Sequence, residues 1–146
     1  LASIDVSAYT HIACAVGTGT MMAALMKAAL PRQSVCGIPV LKLSPDEPNE
    51  LEAFIRSEAV NDNFELHYGF HEGGYAKKTP ELIDFMNQLF KTTEIPTDFV
   101  YTGKLFKALF TLIDKGHFPA GSHILAIHSG GLQGNLSLKP GTLEFP

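Results

Sequence analysis

Apolar residues in this chain occur in short runs separated by longer amphipathic stretches. Runs rich in β-forming residues at 10–16, 34–43 and 122–128 predict strands, and the alternating segment 64–68 predicts a further strand. Pro39 limits the ladder of the strand at 34–43, because proline has no N–H group to donate. The pattern therefore predicts short strands distributed along the whole chain.

Helical spacing of apolar residues fills the intervals between these strands. Residues 21–30 are strong helix formers and apolar on nearly every side, which predicts a helix that is buried between layers and ended by Pro31. Another helix opens at Pro48-Asn49-Glu50, and a third opens at Thr79-Pro80-Glu81, where a capping hydroxyl, a proline and an acid follow one another. A fourth helix ends at Gly116. The apolar stripes of the last three helices are Leu51, Phe54 and Ile55; Leu82, Phe85, Met86, Leu89 and Phe90; and Leu105, Phe106, Leu109, Phe110 and Ile113.

The alternation of strands and helices indicates the fold class. It predicts an α/β fold with three layers, α/β/α, in which a mostly parallel sheet carries helices on both faces. No internal repeat or linker divides the sequence, so we expect residues 1–146 to form a single α/β domain. Residues 136–146 follow no periodic pattern and are expected to be irregular.

Composition restricts the classes of partner. Of the 146 residues, 45% are hydrophobic and only 18% are charged, whereas a typical soluble domain has about 25% charged residues. The net charge of −4 gives no electrostatic basis for binding nucleic acid. No apolar run approaches the roughly 18 residues that span a bilayer, and no basic-then-apolar leader opens the sequence. Cys14 and Cys36 are too few for a disulfide framework, so we expect a cytoplasmic protein without a membrane partner.

A glycine- and threonine-rich turn follows the first predicted strand. In Gly17-Thr18-Gly19-Thr20, the glycines allow the backbone to approach an anion closely, and the next helix offers free N–H groups and the positive end of its dipole. The turn matches neither the G-x-G-x-x-G pattern nor the P-loop. From the residues alone, a phosphate site and a tight turn without a ligand are equally favoured.

Other candidate residues have ordinary structural explanations. Tyr75, after Gly73-Gly74, is placed to face a cleft or to cover the core, and a metal site at His67, His71 and Glu72 is less favoured than solvent exposure of these side chains. Tyr101-Thr102, where an apolar run meets a helix, and Ser129, after the last strand, offer hydroxyls to a ligand or to helix caps and turns. The two lysines of the last helix, Lys104 and Lys107, are expected on a solvated face, and Cys14 is expected to be a packed core thiol.

Four segments in this order resemble one family. They are GTGT at 17–20, GGYAKKTPEL at 73–82, VYTGK at 100–104 and IHSGGLQG at 127–134. Together they resemble the pyridoxal-phosphate enzymes related to 1-aminocyclopropane-1-carboxylate deaminase and D-cysteine desulfhydrase, which share the tryptophan synthase β-like fold, fold type II. The resemblance extends from about Tyr9 to Gly134.

The resemblance implies a role for each matching residue. It implies that Gly17, Thr18, Gly19 and Thr20 bind the cofactor phosphate, that Tyr75 and Tyr101 face the substrate and the cofactor ring, that Thr102 lies near the pyridine nitrogen, and that Ser129 lines the substrate pocket. The deaminases are expected to carry Glu at position 102 and Leu at position 129. Thr102 and Ser129 therefore resemble the desulfhydrase branch, which implies conversion of D-cysteine to pyruvate, ammonia and hydrogen sulfide.

The family's Schiff-base lysine has no counterpart in this sequence. The resemblance implies that the lysine lies in an N-terminal region, and none of the nine lysines here occurs in its motif. We therefore expect the chain to be the C-terminal portion of a larger enzyme, inactive alone and a homodimer when complete. The alternatives are a non-catalytic module that binds a phosphate ligand or a nucleotide, and a structural fragment that needs a partner to remain soluble.

Overall fold

The computed structural model describes residues 5–44 and 49–145. Its elements, in chain order, are β1 (His11–Val16), α1 (Thr20–Ala28), β2 (Ser34–Pro39), α2 (Glu50–Glu58), β3 (Phe64–Leu66), α3 (Pro80–Thr93), α4 (Thr102–Asp114), β4 (Ile124–Ala126) and a 3-10 helix at Gln133–Ser137. Every predicted strand and helix is present. Pro48, which was expected to help open α2, lies outside the described residues.

The strands form one sheet in the order β3-β2-β1-β4. Every neighbouring pair is parallel, and Ala13 in β1 lies between Cys36 and Ala126. The predicted parallel sheet is therefore confirmed, and its carboxyl edge collects the segments that follow each strand. The strands are shorter than the segments that predicted them, most clearly β2, which stops at Pro39, β3, which stops at Leu66, and β4, which covers only Ile124–Ala126.

Helices cover both faces of the sheet. Alternate residues of β1 point to α1 and α2 on one face, where the core is formed by Ile12, Cys14, Val16, Met22, Leu25, Met26, Val35, Leu51 and Ile55. On the opposite face α4 packs against Ala13, Ala15, Cys36, Ile38 and Val40 through Leu105, Ala108, Leu109 and Leu112. This arrangement confirms the three-layer α/β/α architecture.

The helix α3 lies outside the three-layer core, against α4. Its Leu82 and Met86 pack with Phe99, Val100 and Phe145 in a separate cluster. The N-terminus of α3 is as predicted, because Thr79 Oγ1 accepts a hydrogen bond from the Leu82 N–H at 3.2 Å. The last residues pack against this helix although they form little regular structure.

The two cysteines belong to the core on opposite faces of the sheet. Both side chains are fully buried, and burial raises the pKa of each thiol to about 12. A thiol with so high a pKa is a poor nucleophile at neutral pH, so Cys14 is a packed core thiol, as expected.

Among the described residues, no helix combines the length and the apolar character required to cross a membrane.

Gly37 in the middle of β2 leaves no room for a side chain. A Cβ atom at this position would lie 2.4 Å from Met22 Sδ and 2.8 Å from a methyl carbon of Leu66. We predict that Gly37→Ala lowers the free energy of unfolding by about 1–3 kcal/mol, as overpacking of a core does. Urea denaturation measures this change. On a Met22→Ala background the same substitution should cost less, and an equal cost on both backgrounds would contradict the proposed clash.

Candidate active site

The Gly17-Thr18-Gly19-Thr20 turn connects the carboxyl end of β1 to α1. Gly19 is the N-cap residue of α1 and has a φ of 87°, in the left-handed region that favours glycine. No side chain in the described part of the chain caps this helix, and the hydroxyls of Thr18 and Thr20 lie 3.1 Å apart. Across residues 5–44 and 49–145, no described hydrogen bond uses the N–H groups of Thr18, Gly19 or Thr20. These three N–H groups are therefore available to bind an anion at the positive end of the dipole of α1.

A cavity of about 280 Å³ lies beside this turn. It is lined by Gly17 and Thr18 on one side and by Tyr101, Ser129 and Gly130 on the other. The fold thus brings together residues from three of the segments that carry the family resemblance. A Cβ atom on Gly17 would lie 3.3 Å from the ring of Tyr101, so any larger side chain at that position would reduce the cavity.

The apolar segment before Thr102 forms a turn that leads directly into α4. The cause is Asp98, whose buried carboxylate accepts hydrogen bonds from the N–H groups of Val100 and Tyr101 at 2.8 and 2.9 Å. The other carboxylate oxygen accepts from the N–H of Thr102 at 2.9 Å. Asp98 therefore supplies acceptors for the N–H groups at the start of α4.

Thr102 is itself buried and held by the same residue. Its hydroxyl donates to Asp98 Oδ1 and accepts from the Asp98 N–H, both at 2.8 Å. The N-cap residue is Tyr101, so Thr102 does not cap the helix in the expected way. Its predicted position near a pyridine nitrogen stays a prediction, and the hydroxyl proton is already donated to a carboxylate.

The two predicted active-site tyrosines are neighbours in space. The hydroxyl of Tyr101 donates to that of Tyr75 over 3.5 Å, and the ring centroids are 6.0 Å apart in an edge-to-face arrangement. This hydrogen bond, together with burial, raises the pKa of Tyr101 to about 12. Both sequence segments therefore contribute to one hydroxyl pair, of which Tyr75 is the exposed member.

Lys104 is fully buried, which corrects the expectation of a solvated lysine face. Its ammonium group donates to the carbonyl oxygens of His71 and Gly74, each at 2.8 Å. Burial lowers the pKa of Lys104 to about 8. The lysine therefore fastens the loop that carries Tyr75 onto α4.

An ion pair holds the same loop at a second point. Lys107 lies 2.9 Å from Glu72, whose other carboxylate oxygen accepts from the Thr79 hydroxyl. His71 Nδ1 accepts from the Gly73 N–H at 3.0 Å. His71 and Glu72 are thus engaged within the loop, and the structure does not bring them together with His67 as ligands of one metal.

Asp98 and Lys104 are the two site residues that sequence reasoning missed. A signal for Asp98 was present, because an acid followed closely by a hydroxyl residue and a helix is a capping pattern. No neighbouring residue in the sequence indicates that Lys104 is buried, since its acceptors are carbonyl groups 30 and 33 residues earlier in the chain.

The lowered pKa of Lys104 predicts a pH-dependent stability. Between about pH 8 and the ordinary lysine pKa of 10.5, the unfolded chain binds a proton that the folded chain has released. The free energy of unfolding should therefore rise with pH in this range, by about 1–3 kcal/mol relative to Lys104→Met. Urea denaturation at several pH values measures the difference. The exposed Lys115→Met serves as control and should keep the wild-type slope; a parallel pH profile for Lys104→Met would contradict the prediction.

Two known proteins similar to this chain are a deaminase and a deaminase homologue. No family model matches the sequence. The chain is similar to the 1-aminocyclopropane-1-carboxylate deaminase of Mesorhizobium japonicum, with 33% identity over 75 residues that represent 51% of this chain and 22% of that protein. It is also similar to a solved structure of an ACC deaminase homologue, with a TM-score of 0.79 and 26% identity over 92% of this chain and 43% of that one.

The chain spans less than half of the length of these two relatives. The structural match covers 92% of this chain and therefore includes most of the sheet and its helices. Both similarities confirm the resemblance to 1-aminocyclopropane-1-carboxylate deaminases, and the structural one confirms the α/β fold.

Proposed function

We propose that this chain is part of a pyridoxal-phosphate-dependent lyase or deaminase that acts on a small amino acid. The observation that carries the proposal is the cavity at the carboxyl edge of the sheet, where the Gly17–Thr20 turn faces Tyr101 and Ser129. In parallel α/β sheets this edge is the usual position of a ligand. The similarity to the deaminase relatives supports the same assignment.

The turn fits a phosphate group by its donors. Backbone N–H groups of the turn and the hydroxyls of Thr18 and Thr20 would hold the phosphate at the N-terminus of α1. Among residues 5–44 and 49–145, those that line the cavity include no arginine or lysine, so binding would depend on neutral donors and the helix dipole. The close approach of Gly17 to Tyr101 supports this fit, because a side chain at position 17 would occupy the cavity.

The tyrosine pair is suited to bind the substrate. The raised pKa of Tyr101 keeps its hydroxyl protonated at neutral pH, and its proton is directed to the oxygen of Tyr75. The proton of Tyr75 is then left for an acceptor such as an amino-acid carboxylate. Pyridoxal phosphate, when bound, supplies an electron-accepting ring, a chemistry that no protein side chain provides.

D-cysteine desulfhydration is the specific reaction that we propose. Ser129 offers a hydroxyl to the substrate, and Thr102 presents a neutral group where a glutamate would keep a ring nitrogen protonated. A weaker electron-accepting ring is sufficient when the leaving group is a thiolate. The hydrogen bond from the Thr102 hydroxyl to Asp98 supports this proposal, because the hydroxyl proton of Thr102 is directed to the carboxylate and not to a ring nitrogen.

The proposal requires a lysine from outside this chain. Of the described residues, no lysine lines the cavity, and the buried Lys104 is engaged with two carbonyl groups. We therefore propose that the complete enzyme contains a further N-terminal portion with the Schiff-base lysine, and that it is a homodimer. The same lack of a lysine favours the alternative function, a non-catalytic module that binds a phosphate ligand or a nucleotide.

Binding of the cofactor tests the phosphate site directly. We predict that the chain binds pyridoxal phosphate at least about tenfold more tightly than pyridoxal, because hydrogen bonds to a charged group contribute about 1.5–3 kcal/mol. Gly17→Val should weaken binding of the phosphate form by a similar factor. Equilibrium dialysis with absorbance detection measures both effects.

The control for this experiment is Thr92→Ala, which removes an exposed hydroxyl on α3. It should leave binding unchanged. Equal affinity for the two cofactor forms, or normal binding by Gly17→Val, would contradict the phosphate site. Tighter binding of adenosine monophosphate than of pyridoxal phosphate would support the nucleotide-binding alternative.

The missing lysine predicts the result of an activity assay. With pyridoxal phosphate and D-cysteine, the chain should release no more sulfide than free pyridoxal phosphate does, because no side chain in the cavity anchors the cofactor. Colorimetric sulfide determination measures the release. Turnover clearly above that of the free cofactor would contradict this prediction.

A further inference from the structure

A second group of polar side chains lies away from the proposed cofactor cavity. Glu65 in β3, His67 just after this strand, and His117 just after α4 place a carboxylate oxygen and two imidazole nitrogens within 4.8 Å of one another. Since Tyr101 is at the opposite end of the 13-residue helix α4, this group is about 20 Å along the helix axis from the cavity. Of these three residues, only His67 is a candidate metal ligand in the sequence analysis, where it is grouped with His71 and Glu72.

The fold brings these residues together for a simple geometric reason. Glu65 and His67 are two residues apart along an edge strand, so their side chains project from the same face of the sheet. That face is the one covered by α4. After α4 the chain turns at Gly116, which has a φ of 67°, and this turn places His117 beside the strand. Two separate elements therefore contribute ligands to one point.

The distances are close to those between ligands that share a cation, and the shorter one is also a hydrogen bond between His117 and Glu65. Glu65 Oε2 lies 2.9 Å from His117 Nε2 and 3.2 Å from His67 Nε2. Neighbouring ligand atoms around a tetrahedral zinc ion with bonds of about 2.0–2.1 Å lie about 3.3 Å apart. The rings of the two histidines meet edge to face with centroids 4.6 Å apart, so both can direct a nitrogen towards the carboxylate.

His67 is the independent indication of a ligand. Its Nε2 atom is buried and has no hydrogen-bond partner in the described part of the chain, because its approach to Glu65 is poorly aligned for a hydrogen bond. Only 13% of this side chain is exposed. A buried polar atom without a partner is costly, and a cation between the three side chains would satisfy it.

We propose that Glu65, His67 and His117 form a binding site for a divalent transition-metal cation, with Zn²⁺ as the best match. Two imidazole nitrogens and one carboxylate oxygen are ligands that Zn²⁺ accepts, and water would complete the tetrahedron. The exposed side of Glu65 leaves room for that water.

The consequence of this site is structural. It joins the edge strand β3, which has only three residues, to the segment that follows α4. A cation that binds the folded chain and not the unfolded chain stabilises the fold by mass action. The proposal is independent of the cofactor site, and either can fail without the other.

Metal titration of the full chain tests the site. We expect isothermal titration calorimetry to find one Zn²⁺ per chain, Zn²⁺ to raise the thermal unfolding midpoint, and Co²⁺ to develop the intense visible absorption of tetrahedral coordination. Glu65→Gln, His67→Asn and His117→Asn should each weaken Zn²⁺ binding at least about tenfold. His123→Asn, at an exposed histidine outside the group, is the matched control and should bind normally.

Substitutions at the two exposed ligands should not unfold the chain, so a loss of Zn²⁺ binding in these variants is not a folding effect. The side chains of Glu65 and His117 are 51% and 35% exposed, so their metal-free variants should unfold near the wild-type midpoint. The proposal is overturned if the wild-type chain binds no stoichiometric Zn²⁺. It is equally overturned if Glu65→Gln and His117→Asn bind Zn²⁺ as tightly as His123→Asn does.

Discussion

The buried carboxylate of Asp98 organises the side of the cavity that faces the Gly17–Thr20 turn. The first N–H groups of a helix have no acceptors within the helix, and Asp98 supplies acceptors for those of Tyr101 and Thr102. The same carboxylate lies under the loop after β4, where a Cβ atom on Gly130 would be 3.3 Å from Oδ1. One desolvated acid thus fixes the start of α4 and the approach of the Ser129 segment, and the cavity exists between them.

A second buried charge positions the exposed part of the site. Lys104 uses its ammonium group to bind two carbonyl oxygens of the loop before Tyr75, and the Glu72–Lys107 ion pair holds that loop on α4. Glu72 and Ala76 adopt positive φ angles of 53° and 50°, which non-glycine residues adopt only when their surroundings impose them. The position of Tyr75 beside Tyr101 is therefore a property of the helix beneath the loop.

The helix α4 connects two chemically different regions. Its N-terminal end carries the acid-capped tyrosine and the hydroxyls of the proposed cofactor cavity, and its C-terminal end leads to the Glu65, His67 and His117 group. Between them, Leu105, Ala108, Leu109 and Leu112 pack on the sheet. Rigid packing of this helix fixes both ends relative to the strands, so the proposed metal would stabilise the scaffold on which the cavity is built.

The sequence by itself determined the layers, because periodic burial of apolar residues depends on whether the local backbone is helix or strand. It also located the Gly17–Thr20 turn and the segments of Tyr75, Tyr101 and Ser129. Glycines and hydroxyl residues that lie next to predicted strands and helices can be recognised from the sequence. The tertiary structure alone decided that Lys104 is buried and that His117 meets Glu65. Each of these depends on partners distant in the chain or on a burial that hydrophobic periodicity does not report for polar side chains.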